Sequence, residues 1–461
     1  MKSQQQVNQD GTKRTLSNRH VQMIAIGGTI GTGLFLGSGS SISKAGPSII
    51  LVYMIIGAFF FLMMRAIGEM LYEDPDQHTF VAFITKYIGE RAGNFAGWSY
   101  WIGLVFLAMA ELTAIATYIK FWFPQANTSL IEVLFLILLT SLNLIAARIF
   151  AEAEFWFAMI KIIAIISMII TGIILIFTGF KAPDGNYATF GNVFKGFQMF
   201  PHGIATFVAS FPMVFFAFQG MEFISITIGE TKEPRKVLKK AINETIYRIL
   251  IFYIGAMVII MSITPWQTIN PGQSPFVEVF ALAGLPAAAT VINFVVLTSA
   301  ASALNSAIFS AGRHFYQLAE ESHSPVFRHF DKISKTGVPA RGILASAALM
   351  LIAPIISLVP QIGSAFVFVT SVSSDMYIIV YALAVYSHRK YKLSQDYLAD
   401  GFKMPFYKFT SPATLAFFGL IFVSLFFNKT SLLPALGAIV WTVLFNLFGW
   451  FKSRRAKGTV S

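Results

Sequence analysis

Apolar residues run along this chain in blocks of roughly eighteen or more, separated by short polar stretches, and twelve blocks can cross about 30 Å of hydrocarbon. They fall at 20–43, 47–72, 95–122, 130–148, 155–178, 203–229, 242–264, 276–319, 341–358, 362–387, 411–428 and 432–452. The pattern predicts an all-α polytopic membrane protein of twelve transmembrane helices.

Two blocks are interrupted. Gly27-Gly28-Thr29-Ile30-Gly31-Thr32-Gly33 sits in the middle of the first, and Phe215-Phe216-Ala217-Phe218-Gln219-Gly220-Met221-Glu222 in the sixth. Glycine weakens helix, and non-helical backbone at membrane depth survives only inside protein or beside a cavity. Interruptions at corresponding places predict discontinuous helices 1 and 6 in two inverted repeats of five spans. The expected units are a cytoplasmic tail (1–19), a first repeat (20–200), a second repeat (201–390), helices 11 and 12 with their preceding loop (391–452) and a cytoplasmic tail (453–461). The last two helices then serve as lipid-facing scaffold or as a dimer contact, leaving monomer and homodimer both open.

A break of this kind frees backbone groups. The N–H groups of Gly31, Thr32 and Gly33 start the second half-helix and attract a carboxylate. The carbonyls near Thr29 and Ile30, with those of Phe216, Ala217 and Gln219, accept the protons of an ammonium. An α-amino acid carries both groups. The other reading is that the glycines merely allow close helix packing, as Gly33-x-x-x-Gly37 permits.

Composition sharpens the class. The 461 residues are 56% hydrophobic and 12% charged, with a mean hydropathy of +0.67. A net charge of +12 suggests nucleic acid, but its placement does not: with the N-terminus inside, 27 of the 34 Lys and Arg fall on the cytoplasmic side and five opposite. Arg65 and Lys161 lie within spans. This asymmetry puts both termini in the cytoplasm of a cell-membrane protein, and a polar N-terminus before a long apolar block argues against a cleaved signal peptide. With no cysteine there is neither disulfide nor thiolate metal site. No metal, cofactor, nucleotide-binding loop or nucleophile triad can be assembled, so the reading is not an enzyme. A surface helix is expected over 79–89 on the inner side, and a re-entrant or surface helix in Pro271 to Phe280 on the outer.

Ionisable residues inside a bilayer are functional candidates by default. Lys161 has apolar neighbours for six residues on either side; it either loses and regains a proton during transport or snorkels to the nearby cytoplasmic interface. Glu111 and Glu222 either exchange protons or brace a helix. Ser299, Ser302 and Ser306 form one stripe on the eighth block, reading as interhelical hydrogen bonding or substrate contact. Met109, Ser302 and Asn305 are candidates for a side-chain pocket.

Ile24 to Phe35, Ala45-Gly46-Pro47-Ser48, Met64-Arg65-Ala66-Ile67-Gly68-Glu69-Met70, Glu154-Phe155-Trp156-Phe157, Glu230-Thr231-Lys232-Glu233-Pro234 and Asn305-Ser306 resemble the amino acid permeases of the amino acid–polyamine–organocation superfamily. Tyr53 to Gly57, Thr264-Pro265-Trp266, Ser274 to Glu278 and Gly284 to Ser302 are similar to the bacterial D-serine/D-alanine/glycine permeases. The resemblance covers about residues 13 to 452. It implies the five-plus-five inverted fold of the leucine-transporter type, backbone capture of the amino acid by helices 1 and 6, and a fifth-span lysine, here Lys161, in place of a sodium ion. The sequence departs from the closest pattern at Gln219, where a small aliphatic residue is expected, and at Glu111, which replaces an aspartate.

The expected function is import of small neutral amino acids (alanine, serine, glycine, D-isomers included) by proton symport with alternating access. The partners are the amino acid, the proton and the lipid bilayer, without nucleic acid. The alternatives are threonine, branched-chain or aromatic substrates, amino acid exchange without net proton movement, and, from another class, a membrane-embedded receptor or enzyme.

Overall fold

The computed structural model describes residues 18–458 apart from 76, 78, 146, 184, 196, 229, 230, 232, 323–325, 335, 336, 360–363 and 428. Most of the expected N-terminal tail and the last three residues of the C-terminal one lie outside the described residues. The elements are, in order, α1 Asn18–Thr29, α2 Thr32–Phe35, α3 Gly37–Ala45, α4 Ile49–Glu73, α5 Val81–Ile88, α6 Glu90–Lys120, α7 Thr128–Asn143, α8 Ala147–Phe177, α9 Gly191–Phe194 and α10 Gly203–Val208. There follow α11 Phe211–Ala217, α12 Phe223–Thr227, α13 Pro234–Ile263, α14 Pro275–Leu282, α15 Pro286–Glu320, α16 Ala340–Met350, α17 Ile352–Ile356, α18 Ala365–Tyr391, α19 Tyr407–Ser424 and α20 Lys429–Gly458.

Among the described residues, eight helical stretches are long and apolar enough to cross a membrane, and three shorter apolar ones (Thr128–Asn143, Gly203–Ala217 and Ala340–Ile356) accompany them. The protein is an all-helical polytopic membrane protein.

Helix ends follow local chemistry. Gly46 takes a positive φ of 56° and Pro47 opens the short 3₁₀ turn that leads into α4. Asn127 caps α7 by accepting the Leu130 N–H, and Ser364 caps α18 by accepting that of Val367. The long eighth apolar block is two elements: Gly284, at φ +74°, turns the chain out of α14, and Pro286 starts α15. The segment Pro271 to Phe280 contains the start of α14, which buries Pro275, Phe276, Val277, Val279 and Phe280. The segment 79–89 contains α5, which lays Val81, Phe83 and Ile84 inward against α6 and α18 and leaves Thr85 and Lys86 exposed.

Helices α6, α15 and α18 form the packed centre, with α8 held against α1 and α13. Helix α20 lies on α18 and α19 on α4, at the periphery. Inside this frame the first apolar block divides: α1 stops at Thr29, Gly31 is extended at φ −129° and ψ −155°, and α2 begins at Thr32. The sixth divides between α11 and α12, where Gly220 has φ +96°.

Candidate functional site at two helix breaks

The two breaks touch. A β-carbon on Gly33 would lie 2.5 Å from the Ala217 Cα, and one on Gly220 would lie 2.5 Å from the Gly28 carbonyl oxygen. The glycines thus interrupt the helix and also admit backbone from the other break.

The Tyr253 hydroxyl of α13 bridges the pair, 3.1 Å from the Thr29 carbonyl oxygen and 2.7 Å from that of Ala217. A hydroxyl has one proton, so it satisfies one carbonyl at a time. The Ile30 carbonyl accepts from the Ser299 hydroxyl at 3.1 Å. The Phe216 carbonyl accepts the Gln219 N–H at 3.1 Å, and the Gly31 N–H turns back to Thr29 at 3.0 Å. Thr32 gives its N–H (3.3 Å) and its hydroxyl (3.1 Å) to one oxygen of Glu111. A carboxylate thus already occupies part of the N–H array that the sequence marks for an anion. The Gln219 side chain is tied to α18, its oxygen accepting from Ser373 at 2.9 Å and its nitrogen donating to Ser374 at 3.4 Å.

Lys161 is fully buried and its ammonium donates to the Gly27 carbonyl, within electrostatic reach of Glu154 and Glu111. Snorkelling is ruled out by that placement. Glu154 accepts the Ser302 hydroxyl on both oxygens, at 2.8 and 2.9 Å. Glu222 takes donors from Tyr381 (2.6 Å), Tyr100 (3.3 Å) and the Gly220 N–H (2.9 Å), so it braces the second break against α6 and α18. Asn305 accepts from Asn143 of α7 at 2.7 Å. Met109 lines an apolar pocket with Trp101, Val105 and Ile352. The three side-chain-pocket candidates thus have different partners: an acid for Ser302, an amide for Asn305 and an apolar pocket for Met109.

Sequence reasoning missed Glu154 and Tyr253 as site residues. Glu154 stands at the edge of its apolar block, where a charge is unremarkable, and Tyr253 is one aromatic in Ile251-Phe252-Tyr253-Ile254. Their roles come from partners 127 or more positions away (Gly27, Thr29) that only folding brings near. Among the described residues no group of three or more His, Asp or Glu is arranged to hold a metal ion.

Comparison with known proteins gives one consistent result. The sequence profile described as "Amino acid permease" matches residues 20–450. A DL-alanine permease of Lactococcus lactis subsp. cremoris is 49% identical over 441 residues, 96% of each chain. A serine permease of the same organism is 49% identical over 447 residues, 95% of this chain and 97% of the relative. A D-serine/D-alanine/glycine transporter of Escherichia coli K12 is 43% identical over 441 residues, 95% of this chain and 93% of the relative.

Proposed function

This chain belongs to the amino acid permease family, and we propose that it is a secondary active transporter importing small neutral amino acids, alanine, serine and glycine with D-isomers included, by proton symport. It works by alternating access in the cytoplasmic membrane, with both termini in the cytoplasm. Its twelve spans form two inverted five-helix repeats, with α1 and α2 as halves of the first span and α11 and α12 as halves of the sixth. The names of the relatives supply the substrate class.

The observation that carries the reading is the pair of touching breaks with Thr29 and Ala217 carbonyls facing one hydroxyl and Thr32 facing one carboxylate. An incoming ammonium replaces the Tyr253 proton at the two carbonyls. The incoming carboxylate competes with Glu111 for the amide and hydroxyl of Thr32, and protonating Glu111 lowers its hold on them. Substrate and proton then favour each other's binding, which is the linkage a symporter needs. Lys161 ties that titration to Gly27 and hence to the position of α1.

Uptake of labelled alanine and serine by vesicles, with and without a proton gradient, tests this. Accumulation only with the gradient is the expected result; equal uptake without it removes the coupling, and counterflow with no net uptake replaces symport by exchange. Competition by unlabelled glycine, D-serine, D-alanine, threonine, leucine and phenylalanine fixes the substrate, with the first three expected to compete.

A further inference from the structure

We propose that Glu154 is the second carboxylate of the coupling site, so that Glu111, Lys161 and Glu154 titrate as one unit that carries a proton across the first break. The proposal rests on the proton-symport reading. Gly27 is the meeting point: its carbonyl takes the Lys161 ammonium, and a β-carbon on it would fall 2.6 Å from Glu154 Oε1 and 3.1 Å from the Ala158 Cβ. Helix α8 therefore presses both its acid and its base onto one residue of α1. Glu111 closes the other side of the break, 2.7 Å from a β-carbon on Gly31. All three side chains are buried, at 0%, 0% and 2% exposure for Glu154, Lys161 and Glu111.

Charge counting gives the reason. Two carboxylates and one ammonium sum to −1 when all are ionised, and an uncompensated charge in a buried, membrane-embedded site costs several kcal/mol. One added proton makes the group neutral. A proton from outside converts the Glu111 carboxylate to the acid; the Lys161 ammonium gives its proton to Glu154 and then takes one from Glu111; Glu154, nearest the cytoplasmic end of α8, releases its proton inward. Each transfer moves one proton, and the completed cycle restores the starting charges.

The surroundings set the pH response. Helix α15 faces Glu154 with the Ser302 hydroxyl, α13 and α6 bring Tyr253 and Tyr118 near Glu111, and α1 offers the Gly27 carbonyl to Lys161. The carboxylate of α7, Glu132, is bonded far away to Ser357. Glu154 is thus positioned by hydroxyls and answered by one cation.

Full-length protein in vesicles, as wild type, Glu154→Gln and Ser302→Ala, tests the assignment by alanine accumulation and alanine counterflow over a series of external pH values, with sodium or a large organic cation as the salt. In Glu154→Gln, accumulation falls at least tenfold more than counterflow, since only accumulation needs net proton movement. In Ser302→Ala, which removes the hydroxyl shared by the two Glu154 oxygens, the pH midpoint of accumulation moves by about one unit. Accumulation by Glu154→Gln with the wild-type pH profile overturns the proposal. If that variant does not fold, an unmoved midpoint in Ser302→Ala overturns it alone. A wild type that fails to accumulate on the proton gradient, or that requires sodium, overturns the symport reading and this proposal with it.

Discussion

Thr32 places two donors, its amide and its hydroxyl, on a single oxygen of Glu111 seventy-nine positions away. A carboxylate from α6 thereby holds the start of α2, where substrate is proposed to bind. Hydrogen bonds to a charged group contribute about 1.5–3 kcal/mol. Glu111→Gln keeps the shape and removes the charge, so it is expected to flatten the pH dependence of alanine uptake and to cut gradient-driven accumulation at least tenfold more than counterflow. Side-by-side accumulation and counterflow assays check this.

Tyr253→Phe removes the hydroxyl shared by the Thr29 and Ala217 carbonyls and leaves at least one buried acceptor bare. The cost is about 1–3 kcal/mol. The expected outcome is a melting temperature lower by several degrees in detergent, with that loss reduced by saturating substrate, whose ammonium takes over the carbonyls. Melting curves with and without alanine decide it; equal losses in both would detach Tyr253 from the substrate site.

Two glycines make opposite forecasts. At Gly33 a methyl would meet the Ala217 backbone at 2.5 Å, whereas at Gly419 of α19 it would meet nothing within 4 Å. Backbone cannot step aside as a side-chain tip does, so Gly33→Ala is expected to cost at least about 2 kcal/mol and to abolish uptake. Gly419→Ala adds helix propensity and is expected to be neutral or stabilising by about 0.5–1 kcal/mol. Thermal stability and uptake of the two variants test the pair.

Glu69 of α4 accepts from Lys392 at 2.6 Å, His388 at 2.9 Å and the Met404 N–H at 2.8 Å. Arg65, one turn earlier, reaches the Lys403 carbonyl at 2.7 Å and Asn243 at 3.1 Å. These bonds tie α4, α13 and α18 to the segment before α19. Breaking a buried pair from one side typically costs about 3–5 kcal/mol, so Glu69→Gln is expected to lower the melting temperature markedly and to raise hydrogen exchange over residues 392–406. Exchange mass spectrometry reads that segment directly.

The surface helix α5 is held by Lys86, 3.0 Å from Asp396. Donation from Lys86 holds the Asp396 carboxyl below the usual aspartate range. A depressed carboxyl pKa stabilises the folded form above the unfolded value, and that contribution fades as pH falls through the folded one. Hydrogen exchange in α5 is therefore expected to rise only below the usual aspartate range, and Asp396→Asn to show the raised exchange at neutral pH.

How much of this was legible in the sequence differs by residue. The glycine run from Gly27 to Gly33 announced a helix break, because glycine's cost in a helix is local. Lys161 announced itself by its apolar neighbours, but its partner did not: only the packing of α8 on α1 chose Gly27 over the interface. Glu222 read equally well as proton carrier or brace, and the hydroxyls of Tyr100 and Tyr381, from two other helices, decided its bonding. Neither Glu154 nor Tyr253 differed from its surroundings in any way that periodicity can register.

The sequence by itself determined that this chain lives in lipid, that it is helical, and where two of its helices fail, because span length, apolar content and glycine's backbone cost are properties of neighbouring residues. The tertiary structure alone decided which groups the failed helices face. Thr29 meets Tyr253, Thr32 meets Glu111 and Gly27 meets Lys161 across separations of 79 to 224 residues, and contacts at such distance are set by how helices pack, which no local pattern encodes.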